Sequence, residues 1–376
     1  MMAKYDFLIV GAGLFGATCA RLLTDKGYKC LIIDRHDKVG GFAATERYKN
    51  IDVHLYGPHI FHTDSDDVWN FVTKYSEFNK YIYQPLAMSG DKLYHLPISM
   101  NTMYEVFGTQ FPLEAYKKVQ KEINNYHISK PENLEEQGIS TFGFTIFNKF
   151  IRGYTEKLWG KPCGEINTDI LDNLLFTYTW NNNYFDSKHQ GIPKEGYTKL
   201  VENMLGDDID VLLRTDFLTD RDRYMKLASV VIYSGPIDEF CNYVYGPLEW
   251  RTLKFEIKDE SATSNNMFGT PVIYLPDEEN DMLQIVEHKW FTPERIHDEE
   301  YATNTVVSYI YPDKWDPDKE GLYPVNNSKS EELYQKYKHF TETNFPNVLF
   351  GGRSGIYRPI NMSQTIEIAI GLCKEL

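Results

Sequence analysis

The sequence predicts an α/β fold in which a parallel-stranded domain is interleaved with a helical domain and an antiparallel β-sheet domain. Three observations predict it. The chain opens on a glycine-punctuated strand–helix–strand pattern, Tyr5-Asp-Phe-Leu-Ile-Val-Gly-Ala-Gly-Leu-Phe-Gly16. Helical periodicity dominates from about residue 79 to 180. Period-two alternation of apolar residues then runs through 250–310, and a final strand and helix follow.

Phe7 to Val10 is a short apolar run and reads as a buried parallel strand. An amphipathic helix follows, with Cys19, Leu22 and Leu23 on its apolar face. A second apolar strand, Leu31 to Ile33, ends in Asp34. This is a Rossmann-like βαβ unit closing on an acid. Gly11 permits the tight turn, Gly13 lets backbone approach a pyrophosphate, and Gly16 lets helix and strand pack closely. The N–H groups at the helix start, from Leu14 and Phe15 onward, hold the phosphate. Asp34 would accept a ribose hydroxyl, with Arg35 beside it. The alternative is an ordinary βα turn whose glycines serve geometry alone.

Val39-Gly40-Gly41 supplies a second glycine pair. In FAD enzymes of the glutathione-reductase type such a pair starts a loop passing the ribose and pyrophosphate, so FAD is expected rather than NAD. Helices are expected at Leu113–Tyr126, Ile139–Tyr154 and Tyr197–Leu205, and strands at Val211–Arg214 and Val230–Tyr233. The antiparallel set is Arg251–Ile257, Val272–Leu275, Leu283–Glu287 and Thr305–Tyr309. Val348-Leu-Phe-Gly-Gly-Arg353 is a strand running into a glycine turn, where Gly352 offers backbone and Arg353 neutralises a pyrophosphate. A terminal helix runs from about Met362 to Lys374. The expected domains are therefore 1–78 with about 190–240 and 340–376 for FAD; 79–180 for substrate and dimerisation; and about 181–190 with 241–339 for the antiparallel sheet.

The chain has 376 residues, 42% of them apolar and 25% charged, as in a soluble globular protein. Its net charge of −15 argues against nucleic-acid binding or attraction to an anionic membrane. No apolar run approaches the ~18 residues needed to span a bilayer. The five cysteines are scattered, without a C-x-x-C pair, which predicts neither a disulfide framework nor a zinc site and fits a reducing cytoplasm. The N-terminus runs directly into the first strand, with no signal-peptide pattern.

His54-Leu-Tyr-Gly-Pro-His-Ile-Phe-His62 places three histidines together. His59 and His62 lie in a Gly-Pro-broken segment, and no matching ligand cluster occurs elsewhere, so no metal is expected. A donor near a flavin ring is the preferred reading. In Phe150-Ile-Arg-Gly-Tyr-Thr-Glu-Lys-Leu-Trp159, Tyr154 and Trp159 could stack on a base or sugar, or be buried core.

These segments occur with Leu96-Pro97, Met100-Asn-Thr102, Asn182-Asn-Tyr-Phe185, Gln190-Gly-Ile-Pro193, Gly235-Pro-Ile-Asp238, Glu287-His-Lys289 and Tyr323-Pro-Val-Asn326, in one order along nearly the whole chain. Together they resemble the bacterial UDP-galactopyranose mutase family. The resemblance implies a flavin enzyme without net redox. Reduced FAD attacks the anomeric carbon of a nucleotide sugar through N5, and the ring reopens and recloses from pyranose to furanose. It implies that His62 and Arg353 support the flavin, and that Gly40, Gly41, His59, Asn361 and Met362 help bind it. Phe150, Ile151, Tyr154, Trp159, Asn182, Tyr184 and Tyr323 would border the substrate. A homodimer is expected.

The chain departs from the family pattern where substrate is bound. Leu175 and Gln284 stand where the family carries arginines that clamp the diphosphate. Pro359-Ile-Asn-Met362 replaces Tyr-x-Asp-Met, Phe42-Ala-Ala44 replaces Asn-Ala-Tyr, and Tyr274-Leu-Pro276 replaces Asn-Phe-Thr. Either Arg152, Lys157 or Arg358 compensates, or the sugar nucleotide differs: UDP-galactose, UDP-arabinopyranose, UDP-N-acetylgalactosamine or a deoxysugar. The alternatives are an amine-oxidase-like FAD oxidoreductase and a non-catalytic flavin- or sugar-binding paralogue.

Overall fold

The computed structural model describes residues 4–171 and 174–376. The opening glycine pattern folds as β1 (Tyr5–Val10), α1 (Leu14–Asp25) and β2 (Cys30–Ile33). These join a five-stranded sheet in the order Val348–Phe350, Ala228–Tyr233, β1, β2, Asp210–Leu212, with every pairing parallel. The strands are apolar along most of their length because both faces are covered. On one face Phe7, Ile9, Cys30 and Ile32 pack against α1, Leu200 and Met204 of the helix Gly196–Leu205, and Ile366 and Ala369 of the helix Met362–Glu375. On the other, Leu8, Val10, Leu31 and Ile33 pack with Phe217, Phe240, and Tyr334 and Tyr337 of the helix Ser328–Asn344.

The register fixes where a ligand can sit. Val10 is level with Tyr233 and Ile33, and Tyr233 with Phe350. Gly11, Asp34, Ser234 and Gly351 therefore emerge together at the carboxyl edge of the sheet, the edge at which open parallel sheets bind ligands.

A seven-stranded sheet stands opposite, ordered Tyr323–Pro324, Trp250–Asp259, Val306–Lys314, Gln284–Glu287, Val272–Tyr274, Leu86–Ser89, Lys92–His95. All its pairings are antiparallel except Val272–Tyr274 with Leu86–Ser89. The structure thus differs from the expectation of a helical run beginning at 79: residues 86–95 form an edge hairpin turning on Gly90, whose φ is +58°.

The helix expected over Ile139–Tyr154 is interrupted. Gly143 (φ +76°, ψ +158°) ends the helix Leu134–Phe142, and Phe147–Arg152 is π-helical before Gly153–Trp159 resumes the α form. The 241–339 stretch, expected to be sheet, ends inside the 17-residue helix Ser328–Asn344, which covers the parallel sheet rather than the antiparallel one.

Candidate functional site

A cavity of about 620 Å³ runs from the carboxyl edge of the parallel sheet to the face of the antiparallel sheet. Its first half is made largely of backbone. Gly11 (φ +106°) turns so tightly that a β-carbon there would meet the Ser234 hydroxyl at 2.0 Å. Gly16 sits with its Cα against the Gly11 carbonyl, where a β-carbon would lie 1.9 Å away. Gly13 faces the second glycine pair: its β-carbon would stand 3.6 Å from Gly41 Cα, and Gly40 N–H donates to Ala12 O at 2.9 Å. Gly13 begins α1 with no side-chain cap, so the first N–H groups of that helix open into the cavity beside Leu14 and Phe15. Asn361 and Met362 bring a second helix start to the same cavity.

Asp34 lines the cavity, but both of its oxygens are engaged. Oδ2 accepts from Ala12 N–H at 2.6 Å, and Oδ1 accepts from His36 N–H at 2.8 Å, with His36 Nδ1 2.9 Å away. Burial pushes its pKa up, yet these bonds outweigh burial and leave it below the usual value. Asp34 is therefore already committed to holding the glycine turn. Arg35, beside it, pairs with Glu239 at 3.4 Å and Glu320 at 3.7 Å.

Arg353 fits an anion. Its guanidinium donates to Ile360 O at 2.9 and 3.1 Å and to Leu322 O at 3.2 Å, and lies over the Tyr323 ring at 5.9 Å. Among the described residues it has no carboxylate partner, and burial lowers its pKa. A half-buried cation without a carboxylate partner among the described residues, beside two helix starts and a cradle without β-carbons, is the donor set a dinucleotide pyrophosphate needs.

The far half of the cavity is aromatic. Tyr83, Tyr154, Tyr184, Tyr274 and Tyr323 line it with Phe185 and Gln284. Tyr274 and Gln284 are cross-strand partners, and Gln284 Nε2 donates to the Tyr154 hydroxyl at 2.9 Å. The Tyr83 and Tyr274 hydroxyls are 3.1 Å apart. Burial raises the pKa of all five tyrosines, so they stay neutral and can donate hydrogen bonds.

Other expected site residues lie elsewhere. Phe150 and Ile151 are buried in the helical core, and Trp159 packs on the same core. Asn182 accepts from Asn101, and neither it nor Leu175 lines the cavity. His62 does not line it either: its ring stacks on Phe185 at 3.8 Å and Nδ1 is 3.1 Å from the Ser187 hydroxyl, so Phe185 presents the aromatic face. His59 does line it, with Nε2 hydrogen-bonded to Phe42 O.

The cations expected to replace the missing arginines are otherwise occupied. Arg152 pairs with Glu135. Arg358 is exposed and outside the lining. Lys157 Nζ shares its three N–H donors among four backbone carbonyls, of Leu275, Asp277, Asn280 and Met282, at 2.6 to 2.9 Å. Sequence reasoning gave no role to Tyr56, Tyr83, Phe185, Glu239 or Glu320, all of which line the cavity. Tyr56 and Phe185 stood inside motifs already singled out; Tyr83 carried no signal.

The family model for UDP-galactopyranose mutase matches residues 149–359, more than half of the chain, and a model for an NAD(P)-binding Rossmann-like domain matches residues 9–75. A probable UDP-galactopyranose mutase of Klebsiella pneumoniae is 33% identical over 100% of this chain and 95% of its own length. A dTDP-fucopyranose mutase of Escherichia coli is 34% identical over 96% of each. The crystal structure of reduced UDP-galactopyranose mutase superposes with a TM-score of 0.72 at 13% identity, covering 99% of this chain and 95% of that one. With a dinucleotide cradle at one end of the cavity and a tyrosine-lined chamber at the other, the chain belongs to the UDP-galactopyranose mutase family and is an isomerase of nucleotide sugars.

Proposed function

We propose that this protein interconverts the pyranose and furanose forms of a nucleotide sugar other than UDP-galactose, using FAD in its reduced form. The observation that carries this reading is one continuous cavity joining the glycine cradle to a tyrosine chamber with few cations. When bound, the reduced flavin supplies the nucleophile for the anomeric carbon. The protein's part is to place it. Gly13, Gly40, Gly41 and the start of α1 take the pyrophosphate, and Arg353 balances its charge. Tyr83, Tyr154, Tyr184, Tyr274 and Tyr323, with Gln284, hold the sugar nucleotide by neutral hydroxyl and amide donors. His62 backs Phe185 from behind the wall.

Replacing two arginines by Leu175 and Gln284 removes charge-assisted bonds worth about 1.5–3 kcal/mol each. With Arg152 and Lys157 held by other partners, the diphosphate rests on weaker donors and the sugar's fit weighs more in recognition. A deoxygenated or smaller sugar suits a chamber whose walls also include Leu158, Leu253, Leu283 and Ile310. kcat/KM for UDP-galactose, UDP-arabinopyranose, UDP-N-acetylgalactosamine and dTDP-fucose on dithionite-reduced protein tests this. A lead of tenfold or more for UDP-galactose defeats the substrate reading. Turnover by the oxidised protein with net electron transfer favours the oxidoreductase.

A cytoplasmic homodimer completes the proposal. All five cysteines are free and buried. Among the described residues no helix is long and apolar enough to cross a membrane. Phe111 (63% exposed) and Leu113 (62%), with Tyr104, Tyr116 and Trp180, form an apolar surface on the helical segment. Light scattering of the wild type and of a Phe111→Lys/Leu113→Lys variant checks the assembly.

A further inference from the structure

The loop joining Val306–Lys314 to Tyr323–Pro324 leaves the antiparallel sheet and returns to it, and on the way its Glu320, Gly321 and Leu322 line the cavity. The loop is stiff at its base. Trp315 Nε1 donates to Lys319 O at 2.8 Å, and Lys319 Nζ reaches Lys314 O and Asp313 at 2.9 Å each. Gly321 is pressed against Trp250, where a β-carbon would lie 2.5 Å from the indole.

The far end of the loop is tied down on two sides. Leu322 O accepts from Arg353 of the C-terminal glycine turn. Glu320 Oε1 lies 2.8 Å from His36 Nε2 and 3.7 Å from Arg35 Nη2, and its carboxylate also bonds the Tyr56 hydroxyl. His36 Nδ1 meets Asp34 on its other side, and Asp34 holds Ala12 N–H of the first glycine turn. An unbroken carboxylate–imidazole–carboxylate chain therefore joins the loop to the turn that receives the pyrophosphate. Every member except Ala12 lines the cavity.

We propose that Glu320 is a latch: by closing on His36 and Arg35 it holds the loop 315–322 across the dinucleotide end of the cavity and slows cofactor release. Glu320 is thus a positioning residue for the cofactor, not a member of the tyrosine chamber. Two hydrogen-bonded anions flanking His36 keep its imidazole doubly donating, which only the imidazolium form can do. The latch is an ionic closure whose opening requires no backbone rearrangement of the parallel sheet.

The inference rests on the FAD reading, and the experiment separates the two. Wild type, Glu320→Gln and His36→Gln are each loaded with FAD, and release on dilution is followed by the rise in flavin fluorescence. Loss of one charge-assisted tie predicts release about tenfold faster in either variant, and no further increase in the double variant, because both break the same chain. A role confined to fold stability lowers the melting temperature of the apoprotein and leaves release unchanged. Lys319→Ala, which alters the loop base and not the latch, is expected to release FAD at the wild-type rate. A wild type that takes up no FAD overturns both readings. A wild type holding one FAD per chain, with Glu320→Gln and His36→Gln both releasing it at the wild-type rate, overturns the latch alone.

Discussion

A methyl group at position 16 would stand 1.9 Å from a carbonyl oxygen, whereas one at position 13 would make ordinary 3.6 Å contact with Gly41 Cα. The two glycines of one motif therefore fail differently. Gly16→Ala is expected to cost about 1–3 kcal/mol by forcing α1 off β1, and to be seen as a lower denaturation midpoint. Gly13→Ala keeps its stability, since its φ of −81° suits any residue, but the methyl group occupies the phosphate cradle and flavin content per chain falls. Equal melting of the two variants would refute this division. The close packing at Gly16 was legible in the sequence because it depends on groups within a few residues, the Gly11 carbonyl and Ile9. The direction of Trp159, Asn182 and Leu175 was not, because which side of a helix or loop meets a cavity is decided by elements over a hundred residues away. Within the chamber, Tyr154→Phe removes the acceptor of the Gln284 amide and one hydroxyl from the wall. It should lower kcat/KM by about tenfold with little change in flavin content.

At the scale of the element, the helix Gly153–Trp159 carries Tyr154 and is docked on the loop before Gln284 by two residues one turn apart. Gly153 leaves room for the Pro276 carbonyl, which would lie 2.3 Å from a β-carbon. Lys157 gathers the four carbonyls of the same loop onto one ammonium. Lys157→Met removes the donor these carbonyls share, leaving Asp277 O with only the Asn280 N–H at 3.3 Å. It is expected to cost roughly 1–3 kcal/mol in urea unfolding and to reduce kcat/KM by loosening the Tyr154–Gln284 alignment; unchanged values of both would refute the docking role. From sequence, Lys157 looked like a phosphate ligand because its charge is visible and its carbonyl partners, 118 to 125 residues away, are not. The same limit applies to the helix break: Gly143 sits within an otherwise helical pattern, and only its φ of +76° shows that the chain turns there.

For the whole molecule, His36 ties pH to stability. Hydrogen bonds to Asp34 and Glu320 raise its pKa from 6.5 to about 10. Its contribution is therefore full below about 6.5 and is lost as pH rises through about 10. Burial pushes the pKa of Asp34 and Glu320 up, but the His36 bonds prevail and hold both below their usual values. Their contributions are present above the ordinary carboxylate range near 4 and are lost as pH falls below it. Arg35, Glu239 and Tyr56 complete the cluster facing His36 and Glu320. The melting temperature should plateau between about pH 5 and 6.5, fall as pH rises from about 6.5 to about 10 and fall again on the acid side, with the alkaline fall diminished in His36→Gln. The α/β class and the parallel opening were readable because they rest on local glycine and apolar patterns. The hairpin 86–95 and the helix Ser328–Asn344 were not, because each serves a sheet built from other parts of the chain.

The parallel sheet draws its strands from residues 5–33, 210–233 and 348–350, and its α1 face is closed by the terminal helix Met362–Glu375. During synthesis, the glycine turn at residues 11–16 emerges well before its edge strand Val348–Phe350 and the covering helix Met362–Glu375. The glycine turn therefore acquires its complete surroundings only after residues 348–375 have been made. Until the helix Met362–Glu375 emerges, α1 carries a partly uncovered apolar stripe, a surface on which chaperones act and nascent chains associate.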